Sequence, residues 1–165
     1  VDVTDTRSMR EAVMEHAAGY QQADALIMAA AVADFRPADY SERKIKKGKD
    51  AKAGGGHAGP PLRIDLAENS DILLDVAQQK RRPRLTVGFA AESDDLIAHA
   101  QAKLKRKKLD LIVANDITAS DAGFAVDTNR VLFITAGGVE DLPLMSKAEV
   151  AARIVAWVGD RLNAT

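Results

Sequence analysis

An α/β architecture built on a mostly parallel sheet follows from three features of this 165-residue chain. Short apolar runs of strand length recur at 24–31, 85–90, 110–114 and 130–135. Segments with apolar residues at helical spacing stand between and around them. The runs are nearly continuous rather than alternating, as strands covered on both faces must be. Alternating strands and helices are the pattern of helices packed on a parallel sheet.

Residues 7–20 open the series as an amphipathic helix, with Met9, Val13, His16, Ala17 and Tyr20 on one face. Thr6 or Ser8 is placed to cap it, and Ser8 with Glu11 has capping-box spacing. DALIMAAA at 24–31 is the first buried strand. Residues 35–61 are basic, then glycine-rich, and end on Pro60-Pro61. A stretch this long without periodicity reads as a loop, and 36–61 as a mobile lid. LRIDL at 62–66 alternates and predicts a half-buried strand. A helix follows at 71–79, with Asn69 or Ser70 as its cap and Asp71 favourable at its positive end. After the 85–90 strand, a helix over 93–107 starts at Ser93 with two aspartates in its first turn. The strands 110–114 and 130–135 come next. Gly137-Gly138 predicts a tight turn, with 139–144 returning as a hairpin at an antiparallel edge. Ser146 and Glu149 form a capping box for a last helix over 147–161. The sum is one domain over 1–165, a Rossmann-like three-layer fold with a mostly parallel sheet and an antiparallel edge hairpin.

Composition narrows the chemistry. The chain has no cysteine, which excludes a disulfide scaffold, a Cys-ligated zinc site and a thiol nucleophile. The absence fits a reducing cytosol without fixing the compartment. Three scattered histidines form no metal-ligand motif. Aromatics are 4%, too few for a base-stacking platform. The net charge of −1 and pI near 6.3 argue against a nucleic-acid-binding module. No apolar run is long enough to cross a membrane, and the opening VDVTDT lacks the basic and apolar regions of a signal peptide. About 30 alanines suit close helix-on-sheet packing and close approach of backbone to a ligand.

Five stretches could carry chemistry. AAVADFRP, from Ala30 to Pro37, follows the first buried strand, and ligands of parallel sheets bind outside the carboxyl ends of strands. Asp34 there could accept from a hydroxyl or amine, or could be a solvated junction residue. KIKKGK, from Lys44 to Lys49, suits closure over a polyphosphate, or is a solvated basic loop. Lys103 and Lys107 share a helix face, which the helix dipole alone would favour near a C-terminus. VGFAAE, from Val87 to Glu92, combines Gly88 for close approach with Phe89, a base-packing or core residue. Asn115 and Asp116 end a strand as turn formers or ligand contacts. Clustering on one rim favours a nucleoside triphosphate site. It is not a P-loop, because the Walker pattern is missing. A dinucleotide-binding oxidoreductase is the alternative α/β reading; it requires GxGxxG in position, which is lacking.

The stretches AAVADFRP, KIKKG, NSDIL, VGFAAE, AKLKRKKLDLIVAND, DTNRV and LPLMSKAEVA run in order along the chain. Together they resemble the phosphopantothenoylcysteine synthetase family, in many bacteria the C-terminal domain of a bifunctional coenzyme A biosynthesis protein. The resemblance implies CTP-dependent ligation of 4′-phosphopantothenate to cysteine through an acyl-cytidylate, in the cytoplasm. It implies Met28, Ala29, Ala30, Asp34, Lys44, Ser70, Asp71, Ile72, Leu73, Phe89, Lys103 and Lys107 at CTP, and Ala30, Ala31 and Asp34 at phosphopantothenate. Lys44 and Asp34 are the implied catalytic residues. Magnesium is expected on the triphosphate with no side-chain ligands. FMN belongs only to a decarboxylase domain fused upstream. A homodimer is implied, with residues 110–145 near its interface. The family's opening strand-helix-strand unit, with its catalytic asparagine, has no match here, so a truncated portion that binds CTP without full turnover is expected.

Overall fold

The computed structural model describes residues 1–19, 22–40, 63–92, 95–116 and 127–164. The first helix, α1 (Thr6–His16), is followed by strand β1 (Ala25–Met28). Two short strands come next, β2 (Phe35–Pro37) and β3 (Leu66–Glu68), then helix α2 (Ile72–Ala77). Strand β4 (Leu85–Glu92), helix α3 (Leu96–Arg106) and strand β5 (Leu111–Asp116) form the centre. The chain ends with strands β6 (Thr128–Asn129), β7 (Val131–Thr135), β8 (Gly138–Asp141) and β9 (Met145–Ser146), and helix α4 (Lys147–Asn163).

The main sheet has the order β1-β4-β5-β7-β8. β1, β4 and β5 are parallel; β7 and β8 add an antiparallel hairpin at one edge. This is the expected three-layer Rossmann-like α/β fold. Side chains alternate across each strand, so one sheet face differs from the other. Val87, Leu111, Val113, Val131 and Phe133 pack beneath Val150, Ile154 and Val158 of α4. Ala90, Ile112, Ala114 and Ile134 pack beneath Ala100 and Leu104 of α3. On the α3 side, Gly88 leaves room for a leucine. A Cβ there would lie 2.8 Å from Leu109 Cδ1 and 3.4 Å from Leu73 Cδ1.

Local chemistry sets several boundaries differently from the sequence pattern. The cap of α1 is Asp5, whose carboxylate accepts from Ser8 N at 2.7 Å. Ser8 Oγ accepts from Asp5 N in return, so the box is Asp5–Ser8 rather than Ser8–Glu11. Glu11 instead pairs with Arg7 one turn back. α1 ends at His16, short of the expected residue 20, and Gly19 takes φ +80° just beyond. β1 stops at Met28 rather than 31, because the chain turns away to form β2. Residues 35–37, expected at the edge of a loop, pair with 66–68. The expected 62–66 strand is therefore displaced to Leu66–Glu68. α3 begins at Leu96 after Asp95 in the left-handed region, without acidic residues in its first turn. The hairpin turn falls at Ala136-Gly137, Gly138 adopts φ +145° inside β8, and β8 ends at Asp141 rather than 144. The small β6–β9 pairing has no sequence signal: two residues a side are too few for a period. The Ser146–Glu149 box stands as expected, and α4 runs two residues past the expected end, to Asn163. The lid lysines, including Lys44, and the glycine run lie outside the described residues.

Candidate functional site

The early end of β1 creates a cleft. Met28 pairs with Gly88, but β4 runs on through Phe89 to Glu92 with only β5 beside it. The space where β1 would have continued is open. It holds a cavity of about 280 Å³ lined by Met28, Ala30 to Asp34, Asn69 to Leu73, Phe89, Lys103 and Lys107. That size sits near the lower end of ordinary small-molecule pockets, about 300–1,000 Å³.

Three elements deliver the lining. The rim from Ala30 to Asp34 has no regular structure, and its alanines put little side chain between a ligand and the backbone amides. The start of α2 forms the second wall. Its cap is Asp71, not Asn69 or Ser70: Asp71 Oδ1 accepts from Leu74 N at 3.2 Å. The third wall is α3. Ala100, Lys103, Leu104 and Lys107 stand at i, i+3, i+4 and i+7, so both lysines flank the buried Ala100–Leu104 seam. Their stems can follow apolar surface while the ammonium groups reach the cleft.

The charges are arranged in pairs. Lys107 Nζ lies 2.9 Å from Asp71 Oδ2, and the lysine side chain is only 18% exposed. Arg106 approaches the same oxygen at 3.9 Å. Asp71 thus caps α2 with one oxygen and holds Lys107 against the cleft with the other. At this helix start the Asp71 carboxylate takes up the Leu74 N–H. The partial burial of Lys107 on a cleft wall, and its pairing with Asp71, argue against a purely dipolar role for it.

Of the residues expected at a ligand, the cleft gathers Met28, Ala30, Ala31, Asp34, Ser70, Asp71, Ile72, Leu73, Phe89, Lys103 and Lys107. Ala29 does not line it. Nor does Asn115, which sits inside the sheet, paired to Ala91 on one side and Val131 on the other. Gly88 makes room for Leu109 and Leu73 rather than for a ligand. Among the described residues, no group of three His, Asp or Glu could hold a metal ion. No helix of the described residues is long and apolar enough to cross a membrane.

The residue that sequence reasoning passes over is Asn69, named there only as a possible cap. It lines the cleft and bonds four ways. Its Nδ2 donates to the Ala33 carbonyl at 2.9 Å and to Thr6 Oγ1 at 3.2 Å. Its Oδ1 accepts from Arg36 Nη1 at 3.1 Å, and its backbone N–H donates to the Asp34 carbonyl at 2.8 Å. Arg36 also donates to the Glu68 carbonyl. No spacing rule would have found this, since its partners lie more than thirty residues away in sequence.

Residues 1–162 match the family described as DNA/pantothenate metabolism flavoprotein C-terminal domain. A protein of an unknown prokaryotic organism named Cysteine/Cysteine sulfinic acid decarboxylase is 38% identical over 94% of this chain and 40% of its own length. The Coenzyme A biosynthesis bifunctional protein CoaBC of Bacillus subtilis (strain 168) is 40% identical over 94% of this chain and 35% of its own length. The chain therefore spans well under half of these curated relatives. The crystal structure of the C-terminal domain of a CoaBC protein superposes with a TM-score of 0.72 at 31% identity, covering all of this chain and 66% of that one. By these matches the chain belongs to the DNA/pantothenate metabolism flavoprotein C-terminal domain family, as the C-terminal domain of the CoaBC proteins does.

Proposed function

We propose that this chain holds CTP in the β1–β4 cleft for the ligation of 4′-phosphopantothenate to cysteine in coenzyme A biosynthesis. The observation that carries the reading is convergence. Two lysines from α3, the start of α2 and an alanine-lined rim, far apart in sequence, meet in one cleft at the carboxyl end of β1.

The chemistry suits such a wall. A carboxylate is a poor acyl donor until one of its oxygens joins a phosphate leaving group. The phosphopantothenate carboxylate oxygen attacks the α-phosphorus, and the bond to the bridging β-phosphate oxygen breaks to release pyrophosphate. The cysteine amine then attacks the acyl carbon. The acyl carbon–oxygen bond breaks, CMP departs, and the amine gives up a proton. Protein work is alignment and charge stabilisation. Lys103 and Lys107 supply positive charge to the phosphates. The Ala30–Asp34 rim offers backbone amides and the Asp34 carboxylate to phosphopantothenate or the ribose. Lys44 closes on the phosphates by resemblance. Magnesium, expected with the triphosphate and without side-chain ligands, would supply further charge neutralisation. The chain works in the cytoplasm as a homodimer.

Calorimetry with CTP, ATP and GTP, with and without magnesium, tests the reading. CTP alone is expected to bind. Each of Lys103→Ala and Lys107→Ala should weaken it by about 10–100-fold, the worth of one charged hydrogen bond. Equal binding of all three nucleotides, or of none, overturns the cytidine assignment.

A further inference from the structure

We infer that Asn69 is a positioning residue that holds the Ala30–Asp34 rim at its working distance from the start of α2. The inference rests on the cleft being the nucleotide site proposed above.

The rim has little else to hold it. Ala30, Ala31, Ala33 and Asp34 are exposed, and Val32 is only half-buried. Apolar burial therefore contributes little there, and hydrogen bonds decide its path. Asn69 supplies two of them, one from its side chain to Ala33 and one from its backbone to Asp34. The remaining contacts fix the side chain itself. Arg36 carries only donors, so it takes the amide oxygen and leaves the nitrogen to Ala33 and Thr6. Every hydrogen-bonding direction of the carboxamide toward these partners is then used.

The same residue stands two positions before Asp71, which caps α2 and holds Lys107. A contact between Asn69 and the rim is thus also a contact between the rim and the lysine wall. It extends to the rim the connection that the β2–β3 pairing already makes just beyond it.

Asn69→Asp is the variant of choice. It keeps size and the acceptor for Arg36 but cannot donate to Ala33. Thr6→Ala removes a different leg and leaves the rim bond intact. Two readouts are taken on each: CTP affinity by calorimetry, and amide hydrogen exchange at residue 69, whose N–H is bonded to the Asp34 carbonyl. Asn69→Asp is expected to weaken CTP by about 10-fold or more and to speed exchange at residue 69 similarly, the scale of one lost hydrogen bond. Exchange at Ile112 and Val113 in the core should not change, and Thr6→Ala should bind CTP as the wild type does. Unchanged exchange at residue 69, or unchanged CTP affinity in the folded variant, overturns the inference. A uniform loss of protection that includes Ile112 and Val113 also overturns it, by making the role one of general stability. If the wild type binds no CTP while residue 69 still responds alone, the nucleotide reading falls and the rim clamp stands. Asn69→Ala, which removes the whole carboxamide, should show the same pattern at larger amplitude.

Discussion

The two faces of the sheet are packed with different materials. Beneath α4, large side chains fill the space: Leu111, Val113, Val131, Phe133 and Leu142 meet Val150, Ile154 and Val158. Beneath α3, three alanines, Ala90, Ala100 and Ala114, share the seam with Leu104, Leu109, Ile112 and Ile134. Small residues at a helix–sheet contact let the helix come close. On the α3 face that closeness brings Lys103 and Lys107 to the ends of β1 and β4. One face is built for burial and the other for the placement of charge.

Changes on the two faces should therefore fail in different ways. The largest loss is expected from Phe133→Ala beneath α4, about 3–5 kcal/mol for a buried aromatic. Urea unfolding measures it, and CTP affinity of the folded fraction should hold. A fall in affinity at unchanged stability would erase the distinction between faces. Next comes Ala100→Leu beneath α3. Ala100 is fully buried, so added methyl groups must push the helix outward at about 1–3 kcal/mol. This variant should lose CTP affinity as well as stability, because Lys103 and Lys107 move with the helix. Unaltered affinity would show that the alanine seam does not set the lysine position.

Asp71 allows a finer separation. Asp71→Ala removes the α2 cap and should cost about 1 kcal/mol. Asp71→Asn keeps an oxygen for Leu74 N and loses only the pairing with Lys107, so it should cost less than Asp71→Ala. Thermal melts of the pair compare cap with ion pair; equal losses would mean that the lysine contact dominates.

The smallest effect is a pH dependence on the α4 side. The Ser146 hydroxyl, then the Ser146 backbone N–H, hold the Glu149 carboxyl below its usual range. At α1, the Ser8 backbone N–H and then its hydroxyl do the same for Asp5. A carboxyl depressed in the folded state adds stability above its unfolded pKa and loses it as pH falls through the folded value. Both caps should thus stabilise at neutral pH and fade in acid, below about pH 4. Glu149→Gln should flatten the acid limb of the melting curve. An unchanged limb would place the acid sensitivity elsewhere.

Much of this was legible in the chain, and the exceptions share a cause. The buried strands at β4, β5 and β7 announce themselves as apolar runs because both of their faces are covered. The Ser146–Glu149 box is a local bond between residues three apart, so spacing alone reveals it. Where the expectations moved, a distant partner intervened. β1 ends early because residues 35–37 find 66–68, about thirty residues further along the chain. Asn115 looks like a strand-end ligand contact, yet two neighbouring strands claim it.

The candidate site divides the same way. Lys103 and Lys107 could be placed on one helical face by counting, while dipole stabilisation remained by itself the likelier account of them. Only the fold showed that this face overlooks the open end of β1. Asp71 could be read as favourable at a helix start; that its second oxygen grips Lys107 depends on α3 lying alongside α2. Asn69 could be read only as a cap candidate, because Thr6 and the Ala33–Arg36 stretch come from two other places in the chain. Periodicity and capping are contacts among near neighbours, so the sequence alone determined the four helices, the strands of the main sheet and the three-layer arrangement, but not β2, β6 and β9. The cleft is made of contacts between elements, and its walls, its ion pair and its clamp were decided by the tertiary structure.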